Sequence, residues 1–363
     1  MQTIYWNLQT ENELDALTQA AELLRRGEVV AFPTETVYGL GADGLNGSAV
    51  AKIFAAKGRP VDNPLILHIA DKTDILPLTT GLTPNARALM AAFWPGPLTL
   101  IVAKSALIPD EVSAGLATVG VRMPSHPVAA RLIKLTGRPI AAPSANISGK
   151  PSPTTAPDVA DDMQGKIAGI IDGGRCGIGV ESTVVDTTSP VPMILRPGGI
   201  TREMLEDLLG AVEVDPALAG DKDFKPRAPG MKYRHYAPQA AMYLFEGAAV
   251  SRLAASVQQA AQSLQVGVLC SDATAALLPA AANVLVSSWG TDVAALAENL
   301  YALLRDFDKQ QVDVILAEGV GEDGLGLAVM NRLRKAAGNQ LVTLDAGRLC
   351  LKSGTLLPGF MLK

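Results

Sequence analysis

The sequence predicts an α/β protein, with a mixed β-sheet domain in residues 1–209 and a second, smaller α/β domain in residues 241–345. Three observations favour this fold class. Short apolar runs typical of strands alternate with helical segments up to residue 209. The alternation stops across 210–240 and then resumes. A length of 363 residues also favours two domains over one.

In the first half, the first helix is predicted by Leu14, Leu17 and Leu24 at helical spacing, with Gly27 as its stop. Thr10 and Glu13 have the spacing of a capping box, which marks the helix start. Strands are predicted at 28–32, 65–70, 98–103, 119–123 and 139–142, and within AGIIDGG, STVVDTT and PMILRPGG. Helices are predicted at 48–56, 84–93, 126–136 and 201–209, and PTETVYGLGADG is predicted to be a loop.

The middle segment, 210–240, lacks periodicity and ends in the basic, proline-bearing run KPRAPGMKYRHYAP. It is typical of a linker, and its charge also suits a lid that folds over a phosphate-bearing site. In the second domain, strands are predicted in MYLF, VGVLC, VLVSS, VDVILA and LVTL, and helices at 248–264, 291–307 and 325–337. Residues 346–363 are predicted to be a tail.

Composition excludes several protein classes. A hydrophobic content of 48% and a charged content of 18% are unlike those of a disordered chain. The net charge of -5 argues against a basic nucleic-acid-binding surface, although a local basic cleft with weak RNA contact stays open. The three cysteines are far apart, which predicts neither a disulfide framework nor a zinc site. With no signal-peptide pattern and no membrane span expected, we predict a cytoplasmic protein.

The first candidate motif is AAKGRPVDNPLILH. Gly58 lets the backbone turn tightly, so Lys57 and Arg59 can both point into one cleft, where they suit phosphate oxygens. Asn63 adds a neutral amide, and His68 lies on the following strand. The alternative is a helix C-terminus whose last carbonyls attract cations.

The second candidate motif is APSANISGKPSPT. Ser144 and Asn146 follow a predicted strand, and their hydroxyl and amide can hydrogen-bond phosphate, ribose or base without adding charge. The alternative is a capped turn, because Ser and Asn are ordinary turn residues.

A third group of polar residues lies near other predicted strand ends. Arg122 lies inside a strand, where an unpaired cation is expensive, so it has either a carboxylate partner or an anionic ligand. The other members are Thr34, Glu35, Thr36, Glu181, Ser182, Thr183 and Arg196. Together they place cations and hydroxyls where α/β sheets commonly bind ligands.

A competing motif lies in the second domain. Gly319, Gly321 and Gly324 match GxGxxG after a predicted strand, which suggests a dinucleotide site and an NAD-dependent oxidoreductase. The same loop carries three carboxylates, which would repel a pyrophosphate unless a metal intervened: Glu318, Glu322 and Asp323. The alternative is a glycine-rich turn that aids packing. A non-catalytic RNA-binding protein is a further candidate, disfavoured by an aromatic content of 4%.

The ordered set PTETVYGL, AAKGRP, NPLILH, WPGPLTL, VRMP, APSAN, SGKPSPT, ESTVVD and LRPG resembles the YrdC/Sua family of L-threonylcarbamoyladenylate synthases. The family's KxR and SxN signatures correspond to Lys57–Arg59 and Ser144–Asn146. MKYRHYAP and the second domain resemble the longer, two-domain branch. The resemblance implies a YrdC-like twisted mixed sheet with a concave basic cleft, followed by a Rossmann-like C-terminal domain.

The resemblance also implies an activity. The family converts L-threonine, bicarbonate or CO2, and ATP into threonylcarbamoyl-AMP and pyrophosphate. The product serves threonylcarbamoylation of adenosine 37 in tRNAs that read ANN codons, and partner proteins carry out the final transfer to tRNA. Mg²⁺ is expected with the ATP, and no dedicated protein ligands for a metal are predicted.

By the same resemblance, site residues divide into three sets. The residues assigned to catalysis are Lys57, Arg59, Ser144 and Asn146. Those assigned to L-threonine are Thr36, His68, Arg122, Ala142 and Ser182. Those assigned to ATP are Lys57, Arg59, Asn63, Thr118, Ser144, Asn146, Ser152, Arg196 and, from the lid, His235. No general base is evident.

Overall fold

The computed structural model describes residues 2–219, 235–345, 347–355 and 357–361. The chain divides into two compact units. The first comprises Met1–Ser148 and Ser152–Tyr233, and the second comprises Gly149–Pro151 and Arg234–Lys363. The predicted lid therefore falls partly, at 220–234, outside the described residues.

The first unit contains an eleven-stranded mixed sheet. Its strands are β1 (Ile4–Asn7), β2 (Val30–Phe32), β3 (Gly39–Asp43), β4 (Ile66–His68), β5 (Leu98–Ala103), β6 (Thr118–Arg122), β7 (Ile140–Ala141), β8 (Gly169–Asp172), β9 (Thr183–Asp186), β10 (Met193–Arg196) and β11 (Glu213–Val214). Their order across the sheet is β1-β8-β2-β3-β7-β4-β6-β5-β9-β10-β11.

The helices of this unit are α1 (Glu13–Arg25), α2 (Gly47–Lys57), α3 (Pro84–Phe93), α4 (Asp110–Ser113), α5 (Pro127–Thr136), α6 (Ala156–Met163) and α7 (Arg202–Leu209). Two 3-10 helices span Lys72–Leu78 and Pro216–Ala219. The sheet is buried on both faces. In β2, Val30 and Phe32 join one apolar core with residues of α1 and α5, whereas Ala31 between them joins the other core.

The second unit has a six-stranded sheet. Its strands are β12 (Ala241–Phe245), β13 (Val266–Cys270), β14 (Val284–Ser288), β15 (Val314–Glu318), β16 (Leu341–Asp345) and β17 (Arg348–Leu351). Its helices are α8 (Leu253–Ala260), α9 (Asp272–Ala275), α10 (Val293–Lys309) and α11 (Gly326–Ala336), with 3-10 helices at Gly247–Arg252 and Gly359–Met361. The strand order is β14-β13-β15-β12-β16-β17. All pairs are parallel except β16 with β17, so the alternating α/β pattern is confirmed, although β12 and β15 are exchanged relative to the usual Rossmann order.

Several local predictions were wrong. The cap of α1 is Asn12, whose side chain accepts the Asp15 N–H at 3.2 Å, whereas the Thr10 hydroxyl bonds the Asn7 carbonyl in the preceding turn. The predicted loop after β2 contains β3, and the predicted tail contains β17. The single helix predicted at 248–264 is a 3-10 helix followed by the shorter α8. The Ser251 hydroxyl bonds the Ala248 carbonyl there, which competes with regular helix bonding.

Across the described residues, no helix is both long enough and apolar enough to span a bilayer.

Candidate active site

Strand register gathers polar residues onto one face of the first sheet. His68 on β4 lies opposite Arg122 on β6, and Arg122 lies opposite Thr99 on β5. Facing residues on neighbouring strands point to the same side of a sheet, so these three side chains form a row. All are at most 4% exposed. Further polar residues extend this row: Ser182 and Arg196 next to Thr99, and Thr36 and Glu35 next to Arg122. We call these seven residues the polar strip.

At one end of the polar strip, Ser182 joins Thr99 and Arg196. The Ser182 and Thr99 hydroxyls are 2.8 Å apart. Arg196, on β10, donates through Nε to the Ser182 carbonyl at 3.0 Å and through Nη2 to its hydroxyl at 3.1 Å. Arg196 was predicted on the ATP side, and the structure brings it together with the predicted threonine residue Ser182.

In the middle of the row, Arg122 contacts the loop after β2. Its Nη1 donates to the Thr36 hydroxyl at 2.9 Å, and its Nη2 lies 2.7 Å from a Glu35 carboxylate oxygen. Both partners of this ion pair are mostly buried. Of the two explanations that the sequence left open for Arg122, the structure shows the carboxylate partner. An anionic ligand at Arg122 would share the guanidinium with Glu35.

The ion pair controls the charge of Glu35. Burial alone raises the pKa of a carboxyl, but the Arg122 charge and hydrogen bonds from Arg122 and nearby backbone outweigh burial and hold the Glu35 pKa below its ordinary value. Glu35 is therefore an anion at neutral pH. The sequence shows Glu35 near a strand end but assigns it no role, because its contact with Arg122 joins residues that are distant in sequence.

His68 is neutral in this environment. Burial, followed by the Arg122 charge, lowers its pKa to about 3. Its Nδ1 lies 3.2 Å from the Ile66 carbonyl, so a proton on Nδ1 is satisfied there and Nε2 is left as an acceptor. His68 can accept a hydrogen bond from a hydroxyl or amine, but a group of such low pKa is a weak base.

Lys57 ends α2 and links the two signature motifs. Gly58, with φ of 61°, caps the helix and provides the expected tight turn. The Lys57 ammonium is buried and donates to the carbonyls of Ser144 and Asn146, each at 2.6 Å. Those carbonyls belong to the second motif rather than to α2, so the helix C-terminus alternative does not describe this contact.

The second motif forms a tight turn with internal hydrogen bonds. The Ser144 hydroxyl donates to Asn146 Oδ1 at 2.6 Å, and Asn146 Nδ2 donates to the Ile147 carbonyl at 2.8 Å. Ala142 precedes the turn, and its N–H donates to the Ile66 carbonyl at 2.9 Å on β4. The capped-turn alternative is thus correct as a description of the backbone, and the Lys57 contacts join that turn to α2.

Arg59, Asn63 and Thr118 lie towards the opposite end of the same strands. Arg59 donates to the carbonyls of Asn63 and Pro64 at 3.2 and 3.3 Å, just before β4. Thr118 begins β6, four residues and about 13 Å from Arg122. The Asn63 amide is fully buried, and no residue in the described ranges hydrogen-bonds its nitrogen or oxygen. Such an amide suits a polar ligand atom.

Ser152 is fully buried, and its hydroxyl donates to a Glu181 carboxylate oxygen at 2.6 Å. Glu181 was noted among the polar residues near strand ends but was given no role, and Thr99 was not among the predicted site residues. The sequence offered only their place in the ESTVVD and WPGPLTL motifs as a signal.

His235 belongs to the second unit, where its ring lies 5.6 Å from that of Tyr236. The remainder of KYRHYAP before it lies outside the described residues, so the lid stays a prediction.

The GxGxxG loop of the second unit has a packing explanation. A Cβ on Gly319 would lie 2.8 Å from the Phe245 carbonyl oxygen, so glycine is required there. Glu322 forms an ion pair with Arg334 at 2.5 Å. This pair holds a carboxylate in the loop, where it would repel a pyrophosphate. The structure therefore favours the glycine-rich packing turn over a dinucleotide site.

Family models match nearly the whole chain. The Sua5_yciO_yrdC model, described as telomere recombination, matches residues 22–198. The Sua5_C model, described as threonylcarbamoyl-AMP synthase, C-terminal domain, matches residues 200–338. A threonylcarbamoyl-AMP synthase of Bacillus subtilis is 50% identical over 351 residues, covering 94% of this chain and 100% of the relative. This chain belongs to the two-domain Sua5 family.

Other relatives agree across both domains. A threonylcarbamoyl-AMP synthase of Pyrococcus abyssi is 49% identical, covering 94% of this chain and 99% of the relative. A solved structure of P. abyssi Sua5 complexed with L-threonine has a TM-score of 0.88 and 48% identity, covering 95% of this chain and all of that one. These comparisons support the interpretation as a threonylcarbamoyl-AMP synthase. They give no support to the oxidoreductase or RNA-binding alternatives.

Proposed function

We propose that this Sua5-family chain is an L-threonylcarbamoyladenylate synthase. It joins L-threonine, bicarbonate or CO2, and ATP into threonylcarbamoyl-AMP and releases pyrophosphate. The observation that carries the proposal is 50% identity to a threonylcarbamoyl-AMP synthase across 100% of that relative. The product would pass to partner proteins that transfer the threonylcarbamoyl group to tRNA.

The reaction brings anions together. The neutral threonine amine attacks CO2, loses a proton and becomes a carbamate. A carbamate oxygen then forms a bond to the α-phosphorus of ATP, and the bond from that phosphorus to the α,β-bridging oxygen breaks, releasing pyrophosphate. Because the nucleophile and ATP are both negatively charged, the main task of the site is to offset their repulsion and hold them in line.

The polar strip suits the threonine side. Arg122 provides a cation for the amino-acid carboxylate, while Glu35 offsets part of its charge. Neutral His68 accepts a hydrogen bond from the threonine hydroxyl or amine through Nε2, and the hydroxyls of Thr36 and Ser182 complete a polar lining. The buried positions of Arg122 and His68 support this assignment, because both are at most 4% exposed.

The remaining residues suit the nucleotide side. Arg59 and Arg196 provide guanidinium groups for phosphate oxygens. Asn63, Thr118, Ser144, Asn146 and Ser152 provide neutral hydrogen-bonding groups, and Lys57 holds the Ser144–Asn146 turn while adding positive charge. Mg²⁺ bound to the ATP would offset phosphate charge. In this proposal the ion is held by the phosphates themselves rather than by dedicated protein ligands.

The experiment is a pyrophosphate-release assay on the full chain with ATP, Mg²⁺ and bicarbonate. Release should require L-threonine and stop when bicarbonate and CO2 are removed. D-threonine is the matched control, because it has the same charge and composition with inverted stereochemistry. Equal pyrophosphate release without threonine would refute the proposal.

A further inference from the structure

Two buried hydroxyl groups lie side by side on the polar strip. Thr99 is on β5, Ser182 directly precedes β9, and their hydroxyl oxygens are 2.8 Å apart. Thr99 is fully buried, and Ser182 is 1% exposed. Polar groups buried this deeply are nearly always hydrogen-bonded, so each hydroxyl proton needs an acceptor.

The pair has more protons than acceptors. The contact between the two hydroxyls uses one proton, because one oxygen donates and the other accepts. Arg196 Nη2 donates to the Ser182 hydroxyl at 3.1 Å, so this neighbour takes up a lone pair and accepts no proton. Within the described residues, neither hydroxyl has any other hydrogen-bond partner. One hydroxyl proton is therefore left to donate to a ligand.

The surroundings favour a negatively charged ligand atom. Strands β4, β6, β5, β9 and β10 are consecutive neighbours in the sheet. Arg122 ends β6 and Arg196 ends β10, so the hydroxyl pair lies between the strands that carry these two arginines. A guanidinium group has donors and no acceptor. A remaining hydroxyl proton between two such groups suits an anionic oxygen.

The position of the pair indicates which oxygen that is. In the proposed function, Arg122 binds the threonine carboxylate and Arg196 binds phosphate oxygens. The group that joins threonine to the α-phosphorus is the carbamate. We propose that the Thr99–Ser182 hydroxyl pair binds an oxygen of this carbamate and so forms the site for the carbon that bicarbonate supplies. This inference rests on the proposed function and gives Thr99 a role in it.

The chemistry of carbamate formation fits a hydrogen-bond donor at this position. When the threonine nitrogen bonds to the carbon of CO2, one electron pair of a C=O bond moves to its oxygen, and the nitrogen loses a proton to solvent. The carbamate oxygens thereby gain negative charge. A hydrogen bond to a charged oxygen is stronger than one to a neutral oxygen, so the pair stabilises carbamate more than CO2. The second carbamate oxygen is left to attack the α-phosphorus.

The first test measures how pyrophosphate release by Thr99→Val depends on bicarbonate at saturating threonine and ATP. The bicarbonate concentration for half-maximal rate should rise about threefold to tenfold, as expected for the loss of one net hydrogen bond. The KM values for threonine and ATP should change far less. Thr99→Ser retains the hydroxyl and should recover most of the loss.

Thr136→Val is the matched control. Thr136 is also a buried threonine of the first unit, but it lies on α5, where its hydroxyl donates to the Leu132 carbonyl at 2.8 Å. Its substitution removes a buried hydroxyl outside the polar strip. The bicarbonate dependence of Thr136→Val should equal that of the wild type, even if the variant is less stable.

Thermal unfolding supplies a readout independent of turnover. With threonine present and ATP absent, bicarbonate should raise the melting temperature of the wild type and of Thr136→Val more than sodium chloride of equal ionic strength does. The increase should be smaller in Thr99→Val. If the wild type releases no threonine-dependent pyrophosphate, the proposed function fails, whereas the bicarbonate-dependent melting temperature still reports on the hydroxyl pair.

Two results would overturn the inference. One is a wild-type response to bicarbonate in Thr99→Val, in both the kinetic and the thermal measurement. The other is a rise confined to the KM for threonine, which would assign the pair to the amino-acid carboxylate instead. If Thr99→Val does not fold, Ser182→Ala receives the same two measurements, and the same results support or overturn the inference.

Discussion

At the scale of single residues, the site depends on buried charges that neighbours compensate. Arg122 has Glu35 at 2.7 Å, and Lys57 donates to two backbone carbonyls. Removing Arg122 leaves Glu35 as an uncompensated buried charge, which costs more than the contact itself contributes, whereas removing the Lys57 ammonium leaves two carbonyls without a donor. The effect of a single substitution at a buried charge should therefore be compared with that of a double variant that also removes its partner.

Arg122→Met should destabilise the first unit by about 3–5 kcal/mol, because Glu35 then becomes a buried carboxylate without its cation. The double variant Glu35→Gln with Arg122→Met should recover much of that stability, because neither charge remains. Urea unfolding measures both. Threonine binding, measured by calorimetry, should stay weak in the single and the double variant. Recovery of threonine affinity in the double variant would remove Arg122 from the threonine side.

Arg59→Ala should lose a charge-assisted phosphate contact worth about 1.5–3 kcal/mol, or roughly 10–150-fold in ATP affinity. Arg87, an exposed arginine on α3, provides the control substitution Arg87→Ala. Nucleotide titration followed by fluorescence or calorimetry gives both affinities. Equal ATP affinities for the two variants would place Arg59 outside the nucleotide site.

At the scale of elements, α2 and the turn after β7 act together because Lys57 joins them. Lys57→Met keeps the apolar stem and removes the ammonium that donates to the carbonyls of Ser144 and Asn146 at 2.6 Å. Each of these two carbonyls, once left without its donor, should lower the free energy of unfolding by at most about 1–3 kcal/mol. Thermal unfolding measures that loss, with Lys52→Met on the exposed side of α2 as control. Equal melting temperatures for the two variants would show that the hydrogen bonds from Lys57 do not stabilise the turn.

Elements defined by local pattern were predictable, and those defined by distant partners were not. Helix α3 and strand β5 have the predicted bounds, because apolar spacing and turn residues mark them locally. Strand β3 was missed because it is rich in glycine. A Cβ at Gly41 would lie 2.7 Å from the Phe32 ring and 2.8 Å from Ile140, so its glycines reflect packing against other strands. That requirement cannot be read from the segment itself.

The candidate site likewise contains residues that local motifs identify and residues that only contacts with distant parts of the chain identify. Sequence motifs identified Arg122 and Ser182. Strand register places Arg122 on the polar strip, and the hydroxyl contact with Thr99 joins Ser182 to it. Glu35 and Thr99 were not assigned, because their contacts with Arg122 and Ser182 join segments more than eighty positions apart.

At the scale of the whole molecule, acid should unfold the first unit through its buried site groups. The folded-state pKa of His68 is about 3, below its ordinary value of 6.5, so the unfolded chain binds a proton that the folded chain does not between those values. Stability from His68 is fully present above pH 6.5 and is lost as pH falls. Glu35, with its pKa also lowered, acts in the same direction at lower pH.

His68→Asn should therefore flatten the pH dependence of the unfolding free energy between about pH 4 and 6, by up to about 1.4 kcal/mol per pH unit. Urea unfolding at several pH values measures this slope. Glu22→Gln on the exposed surface of α1 is the control and should leave the slope in that window near its wild-type value. An unchanged slope in His68→Asn would show that His68 titrates normally in the folded chain.

In the proposed reaction, the carbon of bicarbonate becomes the carbamoyl carbon that joins threonine to AMP. Mass spectrometry of the product formed from heavy-carbon bicarbonate, L-threonine, ATP and Mg²⁺ tests it most directly. We expect threonylcarbamoyl-AMP carrying a single heavy carbon, formed in equal amount with pyrophosphate. Conversion of ATP to ADP and phosphate, or AMP formation with no labelled threonylcarbamoyl product, would contradict it.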